Sequence, residues 1–438
     1  MLKKEFTRRS EQMQDILAMS SRQAGRASGF VQRESKLTAG LFVKTLVLGL
    51  LEKGEASLNE LVGVGQRLGV EISASGLAQR MTGAGAEMLK QLLVEQLQVR
   101  EEELGGGMGI LKGFSAVNIV DSTQISLPEN CQAVFAGSGG SASKAGAKLQ
   151  VSYEYLSGTF NALDVGSGRV SDQTSDLPAS FASANSLTLM DLGYFKQATL
   201  VAIDQAHAYF VTRLHPQVNL YWHAADTTKA DIVGFLNHQA QPSGELTVYL
   251  GAEARLPVRL VFRKRRPELV TRERRRALRN AQKKKRTCSA PYLAGLAWQV
   301  CITNLPAYTP DQIFLLYALR WQIEVLFKFW KSFARLATVR VRRPERFLCL
   351  LYAHLLGLLL FHALVAPFRL HGRAELSLPK AFQRFQRALP ALIRAIARGW
   401  LRVPRCLCAF LCTLYPNAAK SSRTKTPSTR QRLALAGL

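Results

Sequence analysis

Apolar side chains recur every three or four positions from residue 1 to about 110, the period of helices joined by short turns. In ASLNELVGVGQRLGVEISASGLAQRM two short helices flank a turn near Gly69. Ser73 is placed to cap the second helix, Leu77 lies on its apolar face and Arg80 projects from its far end. This rhythm is compatible with a helix-turn-helix and equally with a small helical bundle. From about Ser115 the period changes to alternation, and AVNIVDSTQISL reads as a strand. A glycine-, serine- and alanine-rich loop, FAGSGGSASKAGAK, follows. KLQVSYEYL and TFNALDVGSG then read as a hairpin turning at Ser157-Gly158. SLTLMDLGYF is a strand that ends in an acid and a glycine, and AYFVTRL is another.

Strands followed by helices predict an α/β fold with a mixed sheet. Between His215 and Pro306 the pattern is again mostly strands (LTVYLGAE, PVRLVFRK, AGLAWQVCITNL), interrupted by one intensely basic run. The segments drawn from these shifts are 1–110 (helical), 111–214 (strand and helix), 215–306 (β-rich and basic), 307–337 (a helix), 338–415 (helical) and 416–438. The last is polar, basic and read as disordered.

The helix in the fourth segment, YALRWQIEVLFKFWK, has an unusual face. At about 100° per residue, with Tyr317 at 0°, Glu324 falls near −20°, Lys331 near −40° and Arg320 near −60°, an arc of about 60°. Lys328 and Arg335 lie on or beside it, and the opposite side carries Leu315, Leu319, Leu326, Trp330 and Phe333. One carboxylate ringed by cations and a tyrosine suits an acid that holds a metal ion while the cations grip phosphates. The plainer reading is a solvated face with weak i,i+4 pairs.

Charge sharpens the choice. Lys and Arg number 58 against 31 Asp and Glu, a net charge of +27 on 438 residues, which calls for a polyanionic partner, nucleic acid before a membrane surface. With 47% hydrophobic residues the chain is globular. The run from Arg263 to Arg286 holds 13 Lys or Arg and two Glu. It reads as a phosphate-tracking element, with a solvated charged helix or a basic linker as the alternatives. Seven scattered cysteines without a secretory signal point to a reducing cytoplasm. Cys406, Cys408 and Cys412 lack a neighbouring His or second Cys pair, so they read as buried thiols rather than metal ligands. Residues 347–366, uncharged but for their two histidines His354 and His362, are long enough to span a bilayer and read as a buried core helix.

Two acids close apolar strands. Asp121 ends AVNIV before Ser122-Thr123, and Asp191 ends SLTLM before Leu192-Gly193-Tyr194. An acid there is costly to desolvate unless it is paired or bound to metal, although a turn or cap aspartate would serve as well.

The pattern Y-x2-R-x3-E-x6-K, met by Tyr317, Arg320, Glu324 and Lys331, resembles the signature of the bacterial DDE transposases of insertion-sequence family four. In that family the first aspartate lies in a motif like the DST at Asp121. The second lies in a D-x-G-[FY] motif, which Asp191, Gly193 and Tyr194 match, and FVTR (Phe210–Arg213) and ITNLP (Ile302–Pro306) are further landmarks. The resemblance covers roughly residues 55 to 370. It implies an RNase H-like catalytic core with a mainly β insertion, flanked by helical N- and C-terminal regions. It implies that Asp121, Asp191 and Glu324 bind two Mg²⁺ ions, with Mn²⁺ as a substitute, for DNA strand cleavage and strand transfer of the cut-and-paste type. Arg320 and Lys331 would hold phosphates, and Tyr317 would bond to or stack on the terminal nucleotides. Trp298 would stack on an unpaired base, unless it packs in the core. Lys328, Arg213, Arg263, Lys264, Arg274, Arg275, Lys283 and Lys284 complete the expected DNA contacts. The implied partners are the element's terminal inverted repeats, target DNA and a second copy of the chain in a paired-end complex. The implied location is the bacterial cytoplasm, at the nucleoid and away from the membrane. Two other readings stay open: an RNase H-fold nuclease that does not join strands, and a non-catalytic DNA-binding regulator.

Overall fold

Val117, Asn118, Ile119 and Val120 are all buried, whereas burial alternates in the remainder of their strand. A strand covered on both faces reads as a continuous apolar run, and one covered on a single face alternates. The break falls where the chain passes from one compact unit to another. One unit comprises Met1–Gly105, Ser122–Val170 and Gln322–Lys425, and the other Gly106–Asp121, Ser171–Trp321 and Thr426–Leu438. The computed structural model describes residues 2–33, 35–99, 109–139, 143–336, 341, 343–371, 375–419 and 429–436. The middle of the glycine-rich loop and residues 420–428 and 437–438 of the basic tail therefore lie outside the described residues.

The strands are β1 (Val117–Leu127), β2 (Ala145–Glu154), β3 (Thr159–Ser167), β4 (Leu187–Met190), β5 (Tyr209–Arg213), β6 (Leu220–Tyr221), β7 (Ser243–Leu250), β8 (Leu256–Lys264) and β9 (Trp298–Thr303). The second unit, Gly106–Asp121, Ser171–Trp321 and Thr426–Leu438, is the sheet-bearing unit and the first the helix-rich unit. In the sheet-bearing unit the order is β1-β4-β5-β9-β8-β7-β6. β1, β4 and β5 run parallel, with Val120 opposite Met190 and Leu189 opposite Val211. β9 runs antiparallel to β5, and β8, β7 and β6 continue antiparallel. The β-rich segment 215–306 thus extends the parallel core edge to edge. Its last residues lock that extension. The Asn304 side chain accepts the Phe210 N–H (2.9 Å) and donates to the Ala208 carbonyl (2.9 Å) and Asp204 Oδ1 (2.8 Å), while Thr303 Oγ1 donates to the Phe210 carbonyl (2.6 Å). The ITNLP landmark is therefore a clamp on the start of β5. The basic run folds as a 17-residue helix, Pro267–Lys283, none of whose residues is buried.

The helix-rich unit is built around Pro344–His371, apolar on every side and therefore a core element. It is long and apolar enough to cross a membrane, but 83% of its most apolar window is buried within the fold, as read from the sequence. It packs against the helices Ala39–Glu52 and Gly83–Gln98. A Cβ at Gly357 would lie 2.8 Å from Leu51 Cγ, so the first of these contacts needs glycine. Trp330 Nε1 donates to His362 Nε2 (3.1 Å), both side chains buried, and Phe329 meets Phe361 and Phe382. β2 and β3 form the predicted hairpin, with Gly158 at φ +74° in its turn.

Several expectations need correction. Helices Leu58–Arg67 and Ala74–Arg80 form as read, and Ser73 caps the second. Arg80 does not project: its guanidinium lies 4.3 Å from the Phe30 ring centroid and donates to the Phe30 carbonyl. Cys406 and Cys408 are half-buried and Cys412 is exposed, so this cysteine trio is not a set of core thiols. Part of the tail read as disordered forms a helix, Thr429–Leu435, and the Gln312 side chain donates to the Ala436 carbonyl.

Candidate active site

Parallel strands deliver their carboxyl ends to one edge of a sheet, where open α/β folds place their chemistry. Val120 and Met190 are register partners, so the next residues, Asp121 within β1 and Asp191 just past β4, stand at the same level where the pairing of the two strands ends. Asp191 lies just past β4 with its backbone still extended (φ −79°, ψ 166°). Continuing the β4–β5 register brings Arg213, the last residue of β5, level with Asp191. Adjacent strands are about 5 Å apart and in-register side chains share a face, so Asp121, Asp191 and Arg213 form a row, each half-buried.

After Asp191 the chain turns through Leu192–Tyr194, with the Tyr194 N–H on the Asp191 carbonyl (3.0 Å). A Cβ at Gly193 would come 3.3 Å from Asp172 Oδ2, so the glycine of the D-x-G-Y motif admits a second acidic side chain beside the turn. Tyr194 itself is buried in the core.

A guanidinium reaches this row. Arg320 Nη1 donates to Asp121 Oδ2 at 2.8 Å, and the two side chains are only 14% and 17% exposed. The helix Pro310–Ala318, opened by a reciprocal Thr309–Gln312 cap, leads up to it. Leu319 and Arg320 then form i→i+3 bonds to Leu316 and Tyr317 instead of continuing the helix. Tyr317 is 8% exposed, with its ring 5.9 Å from the Arg320 guanidinium. Burial pushes its phenol well above the usual range; the charges of Arg320 and Arg213 oppose this and that of Asp191 adds to it. Tyr317 is thus a neutral, covered side chain amid these charges, not an exposed stacking platform.

The break at Leu319–Arg320 corrects the helical arc. A second helix, Trp321–Lys328, follows, and then a wider π-helical turn, Phe329–Phe333. Leu315, Leu319, Leu326 and Trp330 are buried as predicted, but Phe333 is 50% exposed. Glu324 stands half-buried in the first turn of Trp321–Lys328, Lys328 is exposed, and burial pulls the Lys331 ammonium below its ordinary pKa. These three belong to the helix-rich unit. The sheet-bearing unit brings together Asp121, Asp191, Arg213, Tyr317 and Arg320. Among the described residues, no three His, Cys, Asp or Glu side chains gather closely enough to hold a metal ion. The donor chemistry of the row nonetheless fits a hard cation: two carboxylates on a rigid edge are the oxygen ligands Mg²⁺ takes while keeping its waters.

A family model described as "Transposase DDE domain" matches residues 112–360, more than half of the chain. This chain is a member of that family. Its relatives include the transposase for insertion sequence element IS1151 of Clostridium perfringens, 28% identical over 90% of this chain and 89% of the relative. The transposase for IS231F of Bacillus thuringiensis subsp. israelensis is also 28% identical, over 90% and 88%. The transposase for IS421 of Escherichia coli is 26% identical over 78% and 90%. The fold is similar to that of the piggyBac transposase in its synaptic complex with hairpin DNA, with a TM-score of 0.52 at 10% identity, over 95% of this chain and 85% of that one. The architecture is the RNase H-like α/β core expected from the sequence.

In this DDE transposase the remaining predicted contacts divide by exposure. Trp298 is buried edge-to-face on Phe262 and serves the core, not base stacking. Arg263 is half-buried, donates twice to Gln299 Oε1 (3.0 and 2.8 Å) and lies over the Phe314 ring at 4.2 Å, so it braces β8 against β9. Burial draws its pKa below the ordinary value. Lys264, Arg274, Arg275, Lys283 and Lys284 are exposed, although Arg274 Nε donates to the Leu293 carbonyl (3.0 Å). Sequence reasoning missed the clamp role of Asn304 and the position of Asp172. The asparagine carried a signal, a polar residue directly after the strand WQVCIT; Asp172 opens a three-residue 3-10 turn and carried none.

Proposed function

We propose that this DDE transposase binds the ends of its insertion element, cuts the DNA there and joins the freed ends to new DNA, with Asp121, Asp191 and Glu324 as its metal-binding carboxylates. The observation that carries this reading is the in-register row of Asp121, within β1, and Asp191, just past the end of β4, flanked by Arg213 and Arg320. The Y-x2-R-x3-E-x6-K spacing and the two aspartate motifs support membership of insertion-sequence family four.

Two Mg²⁺ ions, when bound, would stabilise the attacking and leaving oxygens of each phosphoryl transfer. Asp121 and Asp191 hold fixed oxygen ligands on the sheet edge, so their geometry is set before DNA arrives. Arg320, a planar fork, and Arg213 present cations to the scissile phosphate. Tyr317, kept neutral by burial, packs beside Arg320 and limits its swing. Lys328 and Lys331 add positive charge near Glu324 in sequence. Water cuts the strand first, and the 3′-hydroxyl it frees then attacks a second phosphodiester. The relatives are named as transposases of bacterial insertion sequences, which supports an insertion element's DNA as the substrate; terminal inverted repeats and target DNA as its parts, a dimer that holds two ends, and action in the bacterial cytoplasm at the nucleoid complete the proposal.

The test is a paired-end DNA substrate carrying the sequence that flanks the reading frame, incubated with protein, Mg²⁺ and a supercoiled target. Asp121→Ala, Asp191→Ala and Glu324→Ala are expected to abolish cleavage and joining while retaining end binding. Full cleavage by all three variants refutes the assignment. Cleavage by the unaltered protein without joined product would reduce the activity to that of a nuclease.

A further inference from the structure

Away from the carboxylate row, the densest positive charge lies on the helix Pro267–Lys283, and it is ordered by face. At about 100° per residue, with Arg272 at 0°, Arg279 falls near −20°, Lys283 near +20°, Arg276 near +40° and Arg275 near −60°, an arc of about 100°. All five side chains are exposed, and among the described residues none of them takes part in a salt bridge. The opposite side faces the protein: Val270, Ala277 and Ala281 are half-buried there, and Arg274 is tied to the Leu293 carbonyl. The one acid within the cationic arc, Glu268, stands in the first turn, where the helix dipole favours it. From Arg272 onward the outer face carries no acid.

A helix with five like charges on one face repels itself, at a cost of a few tenths of a kcal/mol per i,i+4 pair. That cost is recovered when polyanion neutralises the stripe. From Arg272 to Lys283 the stripe runs roughly 16 Å, at about 1.5 Å per residue. Duplex DNA presents one phosphate per about 1.7 Å of axis, so the stripe matches a run of backbone charge rather than a single anion.

The start of the helix also lies near the row. Arg265, one residue before the helix's N-cap, is fixed by its N–H on the Ala297 carbonyl (2.8 Å) and its Nε on the Trp298 carbonyl (3.1 Å). It lies close enough to Arg213 to feel that charge, and Arg213 is level with Asp191. A line of cations thus leads from the site to the helix within one unit.

We infer that the outer face of Pro267–Lys283 is a sequence-independent phosphate rail for the duplex whose strand is cut at Asp121 and Asp191, the element-end DNA beyond the scissile bond. The inference rests on the proposed function for the identity of that duplex.

Its test replaces Arg272, Arg275, Arg276, Arg279 and Lys283 together by Gln, a good helix former on an exposed face, with circular dichroism to check the fold. A companion variant carries Lys at the four Arg positions. End-bearing duplexes are used in two lengths, one extending well past the cleavage point and one trimmed to it. On the long duplex the slope of log affinity against log salt should become shallower by about 4, at about 0.9 per phosphate lost, and affinity should fall at least tenfold. The trimmed duplex should show little change, and the Lys variant should restore the slope. An unchanged slope on the long duplex overturns the inference. So does normal end binding and cleavage with only joining to target impaired, which would assign the rail to target DNA. Failure of the unaltered protein to cut in Mg²⁺, with the slope change intact, would count against the proposed chemistry and leave the rail standing.

Discussion

Removing the Arg320 guanidinium should destabilise the sheet-bearing unit measurably, because it strips Asp121 of a partner in a mostly covered position. The pair includes a 2.8 Å charge-assisted bond between side chains 14% and 17% exposed. Exposed pairs contribute about 1 kcal/mol or less, whereas breaking a fully buried pair costs about 3–5 kcal/mol. A bond to a charged group contributes about 1.5–3 kcal/mol, and the residual exposure of both partners places this one near 2 kcal/mol. The assay is a double-mutant cycle in urea, comparing Arg320→Gln, Asp121→Ala and the double variant with the unaltered protein. Each single variant should lose about 2 kcal/mol, and the double variant little more than either, giving a coupling energy near 2 kcal/mol. Strict additivity, with coupling below about 0.5 kcal/mol, would show that the contact contributes nothing in solution. The role of Arg320 at the row would then lose its structural basis.

Other consequences concern the surrounding scaffold. His354 is fully buried, and burial pulls its imidazole down to about 4. Its folded pKa is below the unfolded value, so stability is flat above about pH 6.5 and falls as the unfolded state takes up the proton first, by about 3 kcal/mol on reaching pH 4. Denaturant midpoints of His354→Leu across that range should lack this component, and an unchanged profile would refute it. Asn304→Ala removes three hydrogen bonds and leaves the Phe210 N–H without its acceptor, so a loss of about 2–4 kcal/mol is expected in thermal or urea unfolding, together with reduced cleavage as β5 and Arg213 loosen. A loss within 0.5 kcal/mol, on the order of a surface change, would contradict the clamp.

Much of this architecture was legible in the order of residues. Alternation located β1, the hairpin and the strands of the insertion, and SLTLM marked a strand that ends in an acid. Asp121 and Asp191 stood out because each follows an apolar run, although only Asp191 closes its strand and β1 continues past Asp121 to Leu127; that the two are level with one another is a matter of register, which no local pattern encodes. The helix carrying Glu324 was misread because LRWQ has neither glycine nor proline to announce a break, so a uniform 100° step was projected across a turn and a π-helical stretch. Charge alone led Arg80 to be expected to project and Arg263 to meet DNA, yet Phe30, Phe314 and Gln299, distant in sequence, supply aromatic faces and an acceptor that hold the guanidinium groups inward. Trp298 illustrates the same ambiguity, since an indole suits a core and a base stack alike until its neighbours are known. The two units could not be read at all: each gathers three separated stretches, and β1 passes from one to the other at Asp121.

Whether the aspartates of the row hold metal is tested most directly by exchanging them, one at a time, for cysteine. A thiolate is a poor ligand for Mg²⁺ and a better one for softer ions such as Mn²⁺. Asp121→Cys and Asp191→Cys should bind end DNA normally, fail to cut it in Mg²⁺ and recover cutting in Mn²⁺. Cutting in Mg²⁺ at the unaltered rate by either protein would contradict metal ligation by that residue.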